Sequence, residues 1–192
     1  LPESPIAIAT MPTAADLIGR LPVRKWVYYC VDDFSAWPGI DQAAARRLED
    51  RFIDRADVLI AVGDTLMDRI ERRGRKAHLL THGVDLDFWA SRPRTRSTSP
   101  RTVLFWGLID RRMDVDFLRT LSDSLPDGRI MLVGPKDNPD PAIQSFANVE
   151  CRPGVPLAEL PALAAEADVL VMPYIDAPVT RAMQPLKLKE YL

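Results

Sequence analysis

Two doubly wound α/β halves joined by a polar linker are what this 192-residue sequence predicts, on three observations. Short apolar, β-branched runs alternate with longer amphipathic ones. The short runs are nearly continuous in hydrophobicity, as parallel strands covered on both faces are. Residues 90–101 break the alternation with Ser, Thr, Pro and Arg, and nothing apolar stands between Ala90 and Val103. The expected division is therefore 1–89, a linker at 90–101, and 102–192.

In the first half the strand candidates are residues 6–10, 26–31, 58–62 and 77–81. Ala44, Leu48, Phe52 and Ala56 recur every four residues and give a helix one apolar face, with Arg46, Arg47, Asp50 and Arg51 opposite. Leu66, Met67 and Ile70 make a shorter helix, with Asp64 as the expected cap and Gly74 as the stop. In the second half the strands are expected at 103–106, 130–133, 149–152 and 169–172. Leu118, Leu121 and Leu125 line a helix that Asp114 can cap, ended by the turn Pro126-Asp127-Gly128. Pro161 suits the first turn of a helix carrying Leu163, Ala164 and Ala167. Residues 186–192 read as the opening of a further helix.

Bulk composition narrows the class. Hydrophobic residues make up 47% and charged residues 27%, ordinary for a chain that buries a core. The formal net charge of −2 supplies no global positive field for nucleic acid. The basic residues of the linker, Arg92, Arg94, Arg96 and Arg101, lack the interleaved aromatics of a nucleic-acid patch. Cys30 and Cys151 are too few for a disulfide framework, so reduced thiols and a cytoplasmic setting are expected. No apolar run approaches the roughly 20 residues of a membrane helix. The opening Leu1-Pro2-Glu3-Ser4 is not a basic-then-apolar leader, and both ends read as cuts.

In open α/β sheets ligands bind beyond the carboxyl ends of the strands. Those positions hold Asp32-Asp33, Gly63-Asp64, His82-Gly83-Val84-Asp85, Gly107, Gly134-Pro135, Pro153-Gly154 and Pro173. Glycines there let a backbone approach a ligand, though βα turns use glycine in any case. Asp32-Asp33 is either a metal-binding or acid/base pair, or a helix cap or turn. Asp85-x-Asp87 and Asp114-x-Asp116 match a short metal-transferase pattern, and Asp114 is better explained as a cap. His78 and His82 have no partner at zinc-ligand spacing. No phosphate loop of the G-x-x-x-x-G-K-[ST] type, no G-x-G-x-x-G after a strand and no G-x-S-x-G elbow is present.

Six segments, in order, then carry a resemblance. They are Val27-Tyr28-Tyr29-Cys30-Val31-Asp32-Asp33-Phe34, His82-Gly83-Val84-Asp85, Gly107-Leu108-Ile109-Asp110-Arg111-Arg112-Met113-Asp114, Leu132-Val133-Gly134-Pro135, Ala167-Asp168-Val169-Leu170-Val171-Met172-Pro173 and Pro185-Leu186-Lys187-Leu188-Lys189-Glu190-Tyr191-Leu192. Together they resemble the retaining glycosyltransferases of the GT-B fold, family four, in the subgroup that builds bacterial cell-surface polysaccharides.

The resemblance implies two Rossmann-like parallel-sheet domains, both incomplete, with the early strands, a Gly-rich loop and a cleft histidine expected before Leu1. A nucleoside-diphosphate sugar is the implied donor and a saccharide or lipid-linked molecule the acceptor. No cofactor or metal is implied, nor any nucleic acid. The implied setting is cytoplasmic, peripherally at the inner face of the membrane. By the same match Glu190 holds the donor ribose, Arg112 and Lys187 serve the leaving diphosphate, and Gly107 belongs to the donor pocket. Gly154 and Val155 meet the base through backbone. Each has a plainer reading: Glu190 as a solvent-facing helix residue, Arg112 as a surface ion pair, Lys187 as a solvated lysine. The family's second Glu, eight residues before the ribose one, is Ala182 here, with Thr180-Arg181 as a substitute in the sugar pocket. An inactive scaffold of the same fold, and an epimerase or phosphorylase, are the alternatives.

Overall fold

A computed structural model describes residues 4–90 and 101–192. Along the chain run β1 (Ile6–Ala9), β2 (Lys25–Cys30), α1 (Gln42–Arg55), β3 (Val58–Ala61), α2 (Asp64–Glu71), β4 (His78–Leu79) and α3 (Leu86–Trp89). There follow β5 (Thr102–Trp106), β6 (Ile109–Asp110), α4 (Val115–Ser124), β7 (Arg129–Val133), β8 (Lys136–Asp137), β9 (Val149–Arg152), α5 (Leu160–Ala165), β10 (Val169–Leu170), α6 (Pro178–Ala182) and α7 (Leu186–Tyr191). A strand stands at each of the eight predicted places. The pair β6 and β8 was not predicted, because two residues carry no periodicity.

Packing divides the chain into two units, 1–83 with 176–185, and 84–175 with 186–192. The sequence placed a single division at 90–101, of which only Ala90 and Arg101 are among the described residues. It gave no sign that 176–185 packs with the first half.

In the first unit the strands lie in the order β1-β2-β3-β4, all parallel. Phe52 of α1 stacks on Tyr28 at 4.5 Å and meets Trp26 edge-on at 6.2 Å, filling the core over this sheet. Asp41 starts α1 by accepting a hydrogen bond from the Ala44 N–H at 2.9 Å. Arg75 ends it, donating to the carbonyls of Ile53, Asp54 and Ala56 at 2.6–2.7 Å, which would otherwise lack helical partners. At α2 the expectation is corrected: extended Gly63 holds the cap position and Asp64 is the first helical residue, its charge favourable to the helix dipole. Val179 and Ala182 of α6 are buried here, against α2 and the one-turn helix Phe34–Ala36.

In the second unit the order is β10-β5-β7-β9, again all parallel, with β6 and β8 paired beside it. All five residues of β5 are buried. Val103 and Phe105 enter one apolar cluster, Leu104 and Trp106 the other, as alternation across a sheet covered on both faces requires. Asp114 caps α4, accepting from the Phe117 N–H at 2.9 Å, and Pro161 sits in the first turn of α5. Asp85 caps α3 in the same way, through the Phe88 N–H. Both Asp-x-Asp patterns are thus a cap followed by an acid in the first helical turn.

Candidate functional site

The carboxyl ends of β5, β7 and β9 meet at three glycines. Gly107 follows β5 with φ +141°, and Gly134 follows β7 with φ +155°. A Cβ on Gly134 would overlap the Gly107 carbonyl, so these two turns can touch only as glycines. Gly154, past β9, lies against Gly134 Cα and Pro135 Cδ. Val155 is exposed beside it. The result is a strand-end edge built from backbone.

Lys187, in the first turn of α7, lies across this edge. A Cβ on Gly107 would overlap Lys187 Cε and stand 2.9 Å from its Nζ. The ammonium is 6.0 Å from the Phe105 ring centroid, and no hydrogen bond or ion pair to a described residue engages it. Burial pushes its pKa down; Glu190 and Asp110 oppose the shift and Arg112 adds to it. An added anion at this edge would be attracted to Lys187 and would restore its ordinary basicity.

Arg112 is held differently. Its Nε donates to both Asp110 oxygens at 3.1 and 2.9 Å, its terminal nitrogen reaches Asp110 Oδ2 at 2.7 Å, and its backbone N–H donates to Oδ1. Both partners are buried, and the guanidinium lies 5.5 Å from the Tyr174 ring centroid. The ion pair is a buried one, not the surface pair that was the plainer reading. The Asp110 carboxylate partly offsets the Arg112 charge, while Lys187 has no such direct partner among the described residues.

Glu190 is one turn beyond Lys187 on α7. Its Oε2 accepts a hydrogen bond from Trp106 Nε1 at 3.1 Å. Trp106 ends β5, stacked on Trp89 at 5.5 Å and met edge-on by Tyr191 at 4.5 Å. The second unit thus brings together Gly107, Arg112, Gly154, Val155, Lys187 and Glu190. Thr180 belongs to the first unit, where its hydroxyl accepts from the Ala177 N–H and donates to the Ala177 carbonyl at the start of α6. Ala182 is buried in the apolar core of that unit.

Sequence reasoning missed Trp106 and Asp110. Asp110 had a faint local signal in its spacing to Arg112. Trp106 had none, since its polar partner lies 84 residues away.

The strand ends of the first unit hold a second polar cluster. Arg69 bridges Asp33 Oδ1 at 2.6 Å, Ser35 Oγ at 2.6 Å and Glu49 Oε2 at 3.1 Å. Tyr28 donates its hydroxyl to Glu49 Oε1 at 3.0 Å, and the Cys30 thiol lies 3.5 Å from the same oxygen. Burial pushes Glu49 up against the pull of Arg69, and it raises Tyr28 and Cys30 as well. Burial acts on Asp33 too, but the hydrogen bonds of Ser35 and Arg69 outweigh it and hold that carboxyl low. Asp33 is thus an ion-paired brace, and Asp32 accepts from the Asp33 N–H. His82 packs edge-on to Tyr29, with its N–H on Gln184 Oε1. Among the described residues no group of three or more His, Cys, Asp or Glu is placed to hold a metal, and no helix is long and apolar enough to cross a membrane.

No family model matches the chain. It is similar to TuaH of Bacillus subtilis (strain 168), provisionally named a teichuronic acid biosynthesis glycosyltransferase, with 27% identity over 159 residues. That match takes in 74% of this chain and 39% of TuaH. Among solved structures, a variant of S. aureus TarM in complex with fondaparinux, α-GlcNAc-glycerol and UDP aligns with a TM-score of 0.65 and 8% identity, over 86% of this chain and 36% of TarM. The catalytic domain of starch synthase IV from Arabidopsis thaliana, bound to ADP and acarbose, aligns at 0.60 with 13% identity, over 92% of this chain and 53% of that domain. The fold is therefore the parallel-sheet α/β fold of GT-B glycosyltransferases. The chain spans about two fifths of TuaH and from a third to a half of the two solved chains.

Proposed function

We propose that this chain is part of a retaining glycosyltransferase of family four that moves a sugar from a nucleoside-diphosphate donor to a saccharide or lipid-linked acceptor. The process served is bacterial cell-surface polysaccharide synthesis, at the cytoplasmic face of the membrane with peripheral attachment. The observation that carries the reading is Lys187, a half-buried ammonium without an ion pair, laid over the Gly107 edge one turn from Glu190. The similarity to TuaH, and the UDP and ADP bound by the two solved relatives, support a nucleoside diphosphate as the ligand.

In this reading the diphosphate lies at the strand-end edge of Gly107, beside the Lys187 ammonium that crosses it. Lys187 neutralises the charge that builds on the leaving diphosphate as the glycosidic bond breaks. Its low-dielectric surroundings strengthen that attraction. Arg112, braced by Asp110 and Tyr174, adds a fixed positive end that cannot reorient away during the step. The Glu190 carboxylate accepts hydrogen bonds from the two ribose hydroxyls, and Gly154 and Val155 present backbone to the base. Charge neutralisation is assigned to these side chains, without a metal, and the donor is itself the co-substrate.

Calorimetry with UDP, GDP and ADP on the full-length protein tests this reading. One nucleotide is expected to bind in the micromolar range, and Glu190→Ala to weaken it by about 1–3 kcal/mol, the value of a lost charged hydrogen bond. No binding by any of the three would sink the donor site.

One observation favours a second reading. Ala182 is buried among apolar side chains at the position of the family's second Glu, as in a scaffold that binds a nucleotide without transferring sugar. Nucleotide binding without donor turnover in the presence of membrane-extracted acceptors would select it.

A further inference from the structure

We infer that Trp106 is a positioning residue for the ribose site, acting through the hydrogen bond from its indole N–H to Glu190. The inference rests on the proposed donor site and names a part of it that the motifs do not contain.

The indole of Trp106 is fixed by two aromatic neighbours and by its burial. Trp89 stacks on it with 11° between planes, Tyr191 meets it edge-on, and the ring is only 4% exposed. Tyr191 is in turn tied by its hydroxyl to the Val171 carbonyl at 3.2 Å. An indole has a single donor, and this packing leaves it one direction in which to point.

That direction ends on Glu190 Oε2. A half-exposed glutamate otherwise samples many rotamers, and a ligand that uses it must bear the cost of ordering it. The indole orders it beforehand. It also divides the carboxylate: Oε2 is engaged by protein, while Oε1 and the remaining lone pair of Oε2 stay available as acceptors. Two vicinal hydroxyls present two donors at that spacing. A ligand lacking them gains nothing from the arrangement, so Trp106 contributes to selection of ribonucleotides over dideoxynucleotides.

A shape-filling role for Trp106 makes a different prediction, which a ligand pair and a mutant cycle separate. In the full-length protein, dissociation constants are measured for UDP, GDP and ADP and for their 2′,3′-dideoxy analogues. The proteins are wild type, Trp106→Phe, Glu190→Ala and the double variant. Because Trp106→Phe also thins a packed ring stack, Trp106 is replaced in parallel by benzothienylalanine, whose sulfur removes the donor and keeps the shape. Both replacements are expected to weaken the ribonucleotide about 2- to 10-fold, the range for ordering one rotamer-rich side chain on binding. They should leave the dideoxy analogue unchanged and add nothing in the Glu190→Ala background. Equal loss for both ligands, or a loss that multiplies fully with Glu190→Ala, overturns the inference and leaves the donor site standing. A wild-type protein that binds neither ligand, or binds them equally and is indifferent to Glu190→Ala, overturns both.

Discussion

Lys187 and Gly107 form a pair in which each residue constrains the other. Gly107→Ala adds a Cβ that overlaps the Lys187 stem, at a φ of +141° that L side chains rarely adopt. A cost of about 1–3 kcal/mol in stability is expected from the backbone alone, measured as a fall in the denaturation midpoint, together with a displaced ammonium. Lys187→Met avoids the strain and isolates the charge. The lysine's ordinary pKa is 10.5 and burial holds it lower in the folded protein. Below the depressed value both folded and unfolded chains carry the proton, and the burial penalty is full; it is relieved as pH rises toward 10.5. A bound diphosphate reverses the shift, so binding takes up a proton once pH exceeds the depressed pKa. Above the ligand's own second phosphate ionisation at about pH 6, nucleoside-diphosphate affinity is expected to be flat in pH up to the lysine's depressed pKa and to fall above it, and Lys187→Met to abolish the fall. A wild-type affinity independent of pH up to 10.5 would mean that the ammonium does not meet the ligand. Glycines at strand ends and a lysine opening a helix are legible in sequence because their neighbours are local. The Trp106–Glu190 bond and the burial of Arg112 were not, because tertiary packing alone sets them.

At the scale of elements, α1 and α2 of the first unit are joined to the end of β2 through one arginine. Arg69 faces Glu49 from α1 and Asp33 from the turn after β2, and the two carboxylates respond to pH in opposite senses. Asp33 is held low, so its contribution is present above its ordinary 3.8 and is lost as pH falls. Glu49 is held high, so the unfolded chain ionises first and stability declines as pH rises from 4.5 toward its folded pKa. Arg69→Met leaves a buried carboxylate unpaired and is expected to destabilise by about 3–5 kcal/mol. Glu49→Gln keeps an acceptor for Tyr28 and Cys30 and removes the buried charge. It is expected to be near neutral at pH 7 and to lack the decline above pH 4.5. Urea denaturation of both variants across pH checks this, and equal destabilisation by the two would contradict it. The strands and helices that this cluster joins were readable from their periodicity, as was the Asp114 cap of α4. The pair β6 and β8 and the short helices at Pro12–Leu17 and Phe34–Ala36 were not, since elements of two residues or of one or two tight turns owe their existence to the packing around them.

At the scale of the whole molecule, each packing unit is assembled from two stretches of chain. The sequence shows a composition break at 90–101 and none near 176–185, because Val179 and Ala182 look like any short apolar helix until their partners are known. Yet these residues lie in the first unit, against α2 and the turn at Phe34–Ala36. Ala182 is 5% exposed within that core, and a carboxylate placed there would be buried among apolar side chains. Ala182→Glu is thus expected to destabilise by several kcal/mol, on the scale of an unpaired buried charge. The loss belongs to the unit that holds residue 182, not to the flanking sequence. In native-state hydrogen exchange, protection should fall in β3 and α2, more than 100 residues earlier in the chain. The amides of β5 and β7, nearer in sequence, should keep theirs. Loss confined to the neighbourhood of residue 182, or shared equally by β5 and β7, would show that the segment does not support the first unit.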